Sequence, residues 1–184
     1  LGCLSLGGIA YAENSTLAST RTNDLRLGIA AYSFRDHFEF MKGKPQTPLN
    51  DKKLDMFGFI DYCANQNCAA ELTSYFFPPD ADDAYYLKIK RHAFLKGVPI
   101  VGTAIGNNFT IGKGEQLDQQ IADAKTWIDN AALMGAPHIR FFAGTRKQLE
   151  QSPDAMEIAI ESLQQCADYA AEKGVFIGVE NHGQ

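Results

Sequence analysis

A glycine followed at once by an apolar segment occurs three times in this chain at nearly equal spacing. The three segments are Gly97-Val98-Pro99-Ile100, Gly135-Ala136-Pro137-His138 and Gly174-Val175-Phe176-Ile177, whose glycines lie 38 and 39 residues apart. Each glycine follows an amphipathic stretch and is therefore a typical helix end, and the apolar run after it is typical of a buried strand. Strand-helix units repeated at this interval require a parallel sheet covered by helices.

Hydrophobic periodicity extends this pattern over most of the chain. Five strands are predicted, at residues 27–32, 68–72, 99–104, 138–142 and 175–180. Between the strands we predict helices from about Asp51 to Asn67, from Asp80 or Asp82 to Gly97, from about Leu117 to Gly135, and from a Ser152 N-cap with Pro153 at the first helical position to Gly174. Residues 25–184 are therefore treated as one structural unit and residues 1–24 as a separate N-terminal segment.

Two architectures satisfy this pattern, a doubly wound open sheet and a (β/α)8 TIM barrel. No G-x-G-x-x-G motif opens the first helix, which removes the best evidence for a dinucleotide-binding sheet. Polar side chains follow every predicted strand: Ser33, Arg35, Asp36, His37, Glu71, Thr73, Asn107, Asn108, Arg140, Arg146, Glu180, Asn181 and His182. The carboxyl ends of barrel strands meet at one mouth, where the active sites of this fold lie. The sequence thus favours an α/β fold, a TIM barrel truncated to about five βα units.

The composition excludes several classes of protein. Asp and Glu number 22 against 17 Lys and Arg, a formal net charge of −5, whereas a dedicated nucleic-acid binder is normally basic. No run approaches the ~18 apolar residues that a membrane-spanning helix needs. Past the N-terminal segment the cysteines are Cys63, Cys68 and Cys166, an odd number whose C-x4-C interval is not a usual zinc spacing. These cysteines are predicted to be small buried hydrophobic residues.

The N-terminal segment, residues 1–24, resembles the remnant of a secretory leader followed by a linker. An apolar stretch precedes Ala10-Tyr11-Ala12, an A-x-A cleavage pattern, and the polar residues after it are linker-like. We therefore expect export to the periplasm or a similar compartment, with cleavage after Ala12. A flexible extension of a cytoplasmic protein and a lipoprotein acylated at Cys3 are the alternatives. The chain has no initiator Met, and it is expected to be a fragment of a longer protein.

Glu180 ends an otherwise apolar strand, and Asn181 and His182 follow it directly. A carboxylate at this position is costly to bury unless a cation or a hydrogen-bond donor meets it, and a divalent metal would supply that partner. Strand alternation places Glu180 and His182 on the same side. The alternative is that Glu180 pairs with a neighbouring arginine and that His182 is an exposed loop residue.

Four segments together resemble the sugar phosphate isomerase/epimerase group of the xylose isomerase-like TIM barrels. They are Leu27-Gly28-Ile29-Ala30-Ala31-Tyr32-Ser33-Phe34, Ala70-Glu71-Leu72, His138-Ile139-Arg140-Phe141-Phe142-Ala143-Gly144 and Gly178-Val179-Glu180-Asn181-His182-Gly183. The resemblance spans about residues 25–184, the first five of eight barrel units. Its most specific element is V-E-N-H-G at the fifth strand.

The resemblance implies a divalent metal ion, commonly Mn²⁺, Mg²⁺, Co²⁺ or Zn²⁺. Glu180 matches the first metal ligand, and an Asp, a His and a Glu at strands six to eight would lie beyond Gln184. In epimerases of this group the same Glu also moves a proton at the carbon beside the substrate carbonyl, through a metal-stabilised enediolate. By the same resemblance, substrate contacts are expected from His182, Glu71, Arg140 and Asn107.

The leading functional hypothesis is a metal-dependent isomerase or epimerase acting on a sugar or polyol, with the fragment itself inactive. A carbohydrate is the expected small-molecule partner, and a homo-oligomer remains open. The alternatives are a lyase or dehydratase on the same barrel and a non-catalytic carbohydrate-binding barrel that lacks some of the downstream metal ligands. Repair endonuclease activity is disfavoured by the acidic charge and by the leader.

Overall fold

The computed structural model describes residues 27–44 and 54–182. In this part of the chain five parallel strands form one sheet, and their spatial order is the order in which they occur in the sequence. The strands are β1 (Gly28–Ala30), β2 (Ala69–Thr73), β3 (Ile100–Ala104), β4 (His138–Phe142) and β5 (Phe176–Glu180). All five agree with the predicted strands to within a few residues, and the parallel strands in sequential order, connected by helices, have the arrangement of consecutive (β/α)8-barrel units.

Helices connect the strands and cover one face of the sheet. They are α1 (Met56–Asn65), α2 (Asp83–Leu95), α3 (Glu115–Met134), α4 (Arg146–Gln151) and α5 (Ala155–Glu172). Asp55 caps α1 by accepting a 2.7 Å hydrogen bond from the backbone N–H of Gly58, and Asp82 caps α2 in the same way. Asp82 was one of two capping residues that the sequence left open. Helix α3 ends at Gly135, which has a left-handed φ of +80° as a helix-terminating glycine requires.

Three element boundaries differ from the sequence predictions, and one helix was not predicted. Helix α1 begins at Met56 and not near Asp51, because Asp55 has an extended backbone and caps the helix. The first strand ends at Ala30, because residues 31–34 form a 3-10 turn. Helix α5 begins at Ala155 with Asp154 as its N-cap, so Ser152 is not the cap and Pro153 is not the first helical residue. The reason is a turn in which the carbonyl of Ser152 accepts a bond from the backbone N–H of Ala155. Helix α4 was not predicted, since none of its residues is buried and it therefore has no apolar periodicity.

Side chains along each strand alternate between the two faces of the sheet. On β4, Ile139 and Phe141 are fully buried and pack with helices α3 and α5. The alternate residues His138, Arg140 and Phe142 point to the opposite, inner face. Strand β5 pairs in register with β4, so that Arg140 is opposite Gly178 and Phe142 is opposite Glu180. The inner face therefore carries the polar side chains and the helix-covered face carries the core.

Two of the three cysteines predicted to be small buried hydrophobic residues, Cys63 and Cys166, are buried, and Cys68 is not. Cys63 and Cys166 are fully buried free thiols, and Cys68 is a half-buried free thiol. Burial raises the pKa of Cys63 and of Cys166 to about 11. The two buried thiols are therefore protonated and unreactive at neutral pH.

Several sequence predictions concern residues outside the described ranges. These are the leader-like segment 1–24, the cleavage site after Ala12 and the possible acylation of Cys3. No helix within the ranges 27–44 and 54–182 combines the length and the apolar character needed to span a bilayer.

Candidate active site

The inner face of the sheet, toward its carboxyl end, forms the wall of a cavity of about 530 Å³. Residues from all five strands and from the segments after β1, β2 and β5 line it. Its ionisable lining residues include Glu71, Tyr75, His138, Arg140, Glu180 and His182. A cavity of this volume lies within the range of small-molecule sites, and its position is where barrel enzymes bind their substrates.

Arg140 is the central cation of this cavity. Its Nε lies 2.9 Å from Oε2 of Glu180, and its Nη1 donates a 2.7 Å hydrogen bond to the carbonyl oxygen of Ile105. The guanidinium also lies over the ring of Phe142, with Cζ 4.0 Å from the ring centroid. Three contacts therefore hold the arginine in one orientation, directed toward the end of β5.

Glu180 is held by a second partner on its other oxygen. Nδ1 of His182 lies 3.1 Å from Oε1 of Glu180, and the imidazole packs against Phe142 with ring centroids 4.7 Å apart. Glu180 and His182 thus lie on the same side of the strand, as alternation requires. The arginine pairing that the sequence left open as an alternative is present, and it comes from a residue on the inner face of the neighbouring strand. The carboxylate consequently lies inside the cavity wall.

Glu71 is the most perturbed carboxyl group of the cavity. Its Oε2 accepts a 2.8 Å hydrogen bond from the hydroxyl of Thr73, whereas its Oε1 is buried without a hydrogen-bond partner among the described residues. Burial raises the pKa of Glu71 to about 7, and the Thr73 hydroxyl and the charge of Arg140 oppose that rise. A buried polar atom without a partner in a cavity wall is a place where a ligand can supply the missing hydrogen bond.

Asn107 does not line this cavity. Its Oδ1 accepts a 2.9 Å bond from the backbone N–H of Phe142, and its Nδ2 donates to the carbonyl oxygen of the same residue. The side chain is 6% exposed, so both of its polar groups are used to fix the end of β4. The structure therefore brings together Glu71, Arg140, Glu180 and His182 in this cavity, whereas Asn107 lines a neighbouring cavity next to Glu180 and His182.

Sequence reasoning did not single out three residues of the cavity, Tyr75, His138 and Phe142. Tyr75 follows β2 and packs edge-on against Tyr32, with ring centroids 6.1 Å apart. Burial raises its pKa, and Arg140 opposes that rise. His138 and Phe142 could have been identified from the sequence, because each lies two residues from Arg140 on the same strand and therefore shares its face.

The donor chemistry at the end of β5 fits one part of a divalent-metal site. A carboxylate and an imidazole are both common ligands of Mn²⁺, Zn²⁺ and related ions. In residues 27–44 and 54–182, however, no group of three His, Cys, Asp or Glu side chains is arranged to hold a metal ion. Glu180 and His182 offer metal-binding atoms, but the described residues do not form a complete ligand set.

The comparison with known families agrees with the fold and with the position of this cavity. A family model described as "Xylose isomerase-like TIM barrel" matches residues 57–184, which is more than two thirds of the chain. The chain belongs to this family. No curated protein sequence matches it.

Solved structures with the same fold include sugar isomerases and epimerases. D-psicose 3-epimerase from Clostridium cellulolyticum H10, solved with D-tagatose, has a TM-score of 0.64 at 14% identity over 83% of this chain and 51% of that chain. A sugar phosphate isomerase/epimerase from Parabacteroides distasonis has a TM-score of 0.58 at 14% identity, over 85% and 55%. The probable 3-DHS dehydratase AsbF from Bacillus anthracis has a TM-score of 0.57 at 9% identity, over 87% and 53%. The chain spans about half the length of these proteins.

Proposed function

We propose that the complete protein is a metal-dependent isomerase or epimerase that acts on a sugar or polyol by proton transfer. The observation that carries the proposal is the position of Glu180, whose carboxylate ends β5 and lies in the wall of a cavity shared with Arg140, Glu71 and His182. The epimerases among the structural neighbours support the class of reaction. Their low identity leaves the substrate itself to experiment.

Glu180 has two roles in this proposal, as a metal ligand and as the base that removes a proton from the carbon beside the substrate carbonyl. A bound divalent ion would offset the negative charge that develops on the substrate oxygens during this step. Arg140 orients Glu180, because its Nε lies 2.9 Å from Oε2 and the planar guanidinium fixes the direction of that contact. The base is therefore aligned before substrate enters.

Substrate contacts are assigned to the polar groups that the cavity leaves available. The unpartnered Oε1 of Glu71 can bond a sugar hydroxyl, and His182, which is largely exposed at the mouth, can bond another. Arg140 has further guanidinium N–H groups, besides those that bond Glu180 and Ile105, and these are available to substrate. Asn107 was also expected to bind substrate; in this proposal it acts through the backbone of Phe142.

A specific observation favours a second candidate, a lyase or dehydratase. Loss of a hydroxyl group as water requires an acid that can protonate it, and a carboxyl group with a pKa of about 7 is partly protonated at neutral pH. Glu71 has this property and lies in the same cavity as Glu180. In such a reaction Glu180 would take the C–H proton, the C–O bond would break, and Glu71 would deliver its proton to the departing oxygen.

Metal analysis of the full-length protein tests the assignment of Glu180. We expect Glu180→Gln to abolish stoichiometric binding of the divalent metal, whereas Glu172→Gln, at an exposed position on α5, should leave it unchanged. Equal metal content in the wild type and Glu180→Gln would contradict the assignment.

Incorporation of solvent deuterium into a panel of ketoses and polyol-derived ketones, followed by NMR, separates the candidate functions. Exchange at the carbon beside the carbonyl with conserved sugar composition supports an isomerase or epimerase. Loss of the elements of water supports the dehydratase. Saturable sugar binding with no exchange supports a non-catalytic carbohydrate-binding barrel and contradicts the proposal.

Export is a separate proposal that rests only on the leader-like sequence before Ala12. N-terminal sequencing of the mature protein tests it. A mature chain that begins at Glu13 supports export, and one that retains Leu1-Gly2-Cys3 without acylation contradicts it.

A further inference from the structure

His138 is a polar side chain in the cavity that the proposed function does not use. It is the first residue of β4 and lies on the same inner face as Arg140. Neither of its ring nitrogens has a hydrogen-bond partner among residues 27–44 and 54–182. Neither nitrogen is among the buried unpartnered atoms of this part of the chain, so the ring remains accessible from the cavity.

Two glycines on the neighbouring strands make the space that the imidazole occupies. A Cβ atom at Gly178 on β5 would overlap Nε2 of His138, and a Cβ atom at Gly102 on β3 would lie 3.1 Å from Nδ1. The imidazole therefore occupies space that side chains at Gly102 and Gly178 would otherwise fill. Glycine inside a strand weakens it and commonly marks a place where another group must approach closely. Here that group is the imidazole of His138.

The ring also lies within reach of the reacting end of the cavity. Its Nε2 is beside Gly178, which is two residues before Glu180 and therefore about 7 Å from it along the strand. One molecule of hexose size can span this separation. A neutral imidazole offers one donor and one acceptor, and a hydroxyl group can complement either of them.

From this arrangement we propose that His138 is a substrate-binding residue whose imidazole hydrogen-bonds a sugar hydroxyl, and that Gly102 and Gly178 are needed to keep the ring in that position. The inference rests on the proposed function, because it assigns one further contact to the same carbohydrate. It adds a specificity contact at the inner end of the cavity, opposite the end at which Glu180 acts.

A double-mutant cycle tests the inference in the full-length protein, with D-tagatose and D-fructose as probes and isothermal titration calorimetry as the readout. His138→Ala should weaken binding of the probe by about five- to tenfold, the effect of losing one neutral hydrogen bond. Gly178→Ala should weaken it to a similar extent, because the new methyl group displaces the imidazole. The double variant His138→Ala/Gly178→Ala should be no weaker than His138→Ala, since the space is then vacant.

Thermal unfolding of the same four proteins separates a packing role from a binding role. Gly178→Ala should lower Tm, and adding His138→Ala should restore part of that loss by removing the overlap. If His138 only fills space, His138→Ala will change Tm and leave the affinity for the probe unchanged, and that result would overturn the inference. His138→Gln, which retains a donor and an acceptor, should recover part of the affinity.

Two controls keep this test apart from the test of the proposed function. Metal content should equal that of the wild type in all His138 and Gly178 variants, because neither residue is assigned as a ligand. Gly102→Ala changes a strand that is not paired with β5 and should reproduce a weaker form of the Gly178→Ala effect.

If the wild type binds none of the sugars tested, the proposed function fails and the inference with it. If the wild type binds sugar and His138→Ala binds it equally well, only the inference fails.

Discussion

Arg140 reaches Glu180 diagonally across the β4–β5 pair, with Nε 2.9 Å from Oε2, although the residue directly opposite Glu180 is Phe142. The diagonal reach leaves the Phe142 ring beneath the guanidinium and lets Nη1 bond the carbonyl of Ile105 on the other side. One side chain thereby connects the end of β3, the inner face of β4 and the end of β5. The orientation of the proposed catalytic carboxylate depends on this connection.

Replacing Arg140 by lysine should therefore impair the site despite conserving the charge. A lysine ammonium is a point donor and cannot bond Glu180 and Ile105 in the planar geometry of a guanidinium while covering Phe142. We expect Arg140→Lys to destabilise the fold by about 1–2 kcal/mol and to lower kcat more than it raises KM. Urea unfolding and steady-state kinetics measure the two effects. Lys147→Arg, at an exposed position on α4, is the matched control. Wild-type kinetics of Arg140→Lys would contradict the positioning role of Arg140.

Stability should depend on pH through Glu71. The pKa of this carboxyl group is about 7 in the folded protein, against an ordinary value of 4.5. Between these values the unfolded chain releases the proton while the folded protein keeps it, so the free energy of unfolding falls as pH rises from about 4.5 to 7. The total loss is on the order of 3 kcal/mol, and it is complete above the folded-state pKa.

Glu71→Gln should remove this slope and make the protein more stable than the wild type at pH 8. Urea unfolding at half-unit intervals between pH 4.5 and 8.5 measures the difference. Glu172→Gln is the control, because that glutamate is exposed and should leave the slope intact. Parallel stability curves for the wild type and Glu71→Gln would show that Glu71 titrates normally.

Asn107 should matter more for stability than for binding. Asn107→Ala removes both bonds to the backbone of Phe142 and leaves a partly buried N–H and a partly buried C=O without these partners. We expect a destabilisation of about 2–4 kcal/mol. Asn65→Ala, at an exposed position near the end of α1, should cost well under 1 kcal/mol. If Asn107→Ala instead unfolds like the wild type but loses affinity for sugar, the residue contacts substrate directly.

Native-state alkylation should distinguish the cysteines. Cys63 and Cys166 are fully buried and their pKa values are raised to about 11, so iodoacetamide at pH 7.5 should leave both unmodified. Cys68 is only half-buried, and its thiol should react slowly. Peptide mass spectrometry before and after unfolding in urea reads out the three sites. Rapid labelling of Cys166 in the native protein would contradict the burial of α5 against the sheet.

The parallel fold could be predicted because its determinants are local. The glycines that follow α2, α3 and α5 and the apolar run after each of them identify a strand, and β3, β4 and β5 begin within one residue of their predicted positions. Helix α4 could not be found in this way, since the segment Arg146–Gln151 buries nothing. The false start of α5 has a similar cause, because Ser152-Pro153 is compatible with both a helix cap and a turn.

The candidate site could be predicted only in part. Glu180 and Arg140 were identified because each is polar at the end of, or within, an apolar strand. Their pairing depends on the register of β4 against β5 and on a diagonal side-chain contact, and neither is encoded in spacing along the chain. The space around His138 requires glycines from two other strands, so it too becomes visible only when all three strands are placed together.

The sequential order of the five strands also limits the order in which the cavity can be assembled on a growing polypeptide. Glu71 acquires its neighbours on β1 and β3 as soon as those strands have formed. Arg140 then lacks its carboxylate partner until roughly 40 more residues have been synthesised and β5 has paired with β4. A nascent chain that stops short of β5 would therefore expose an unneutralised guanidinium beside the unpaired edge of β4, and the docking of β5 pairs both the arginine and that edge.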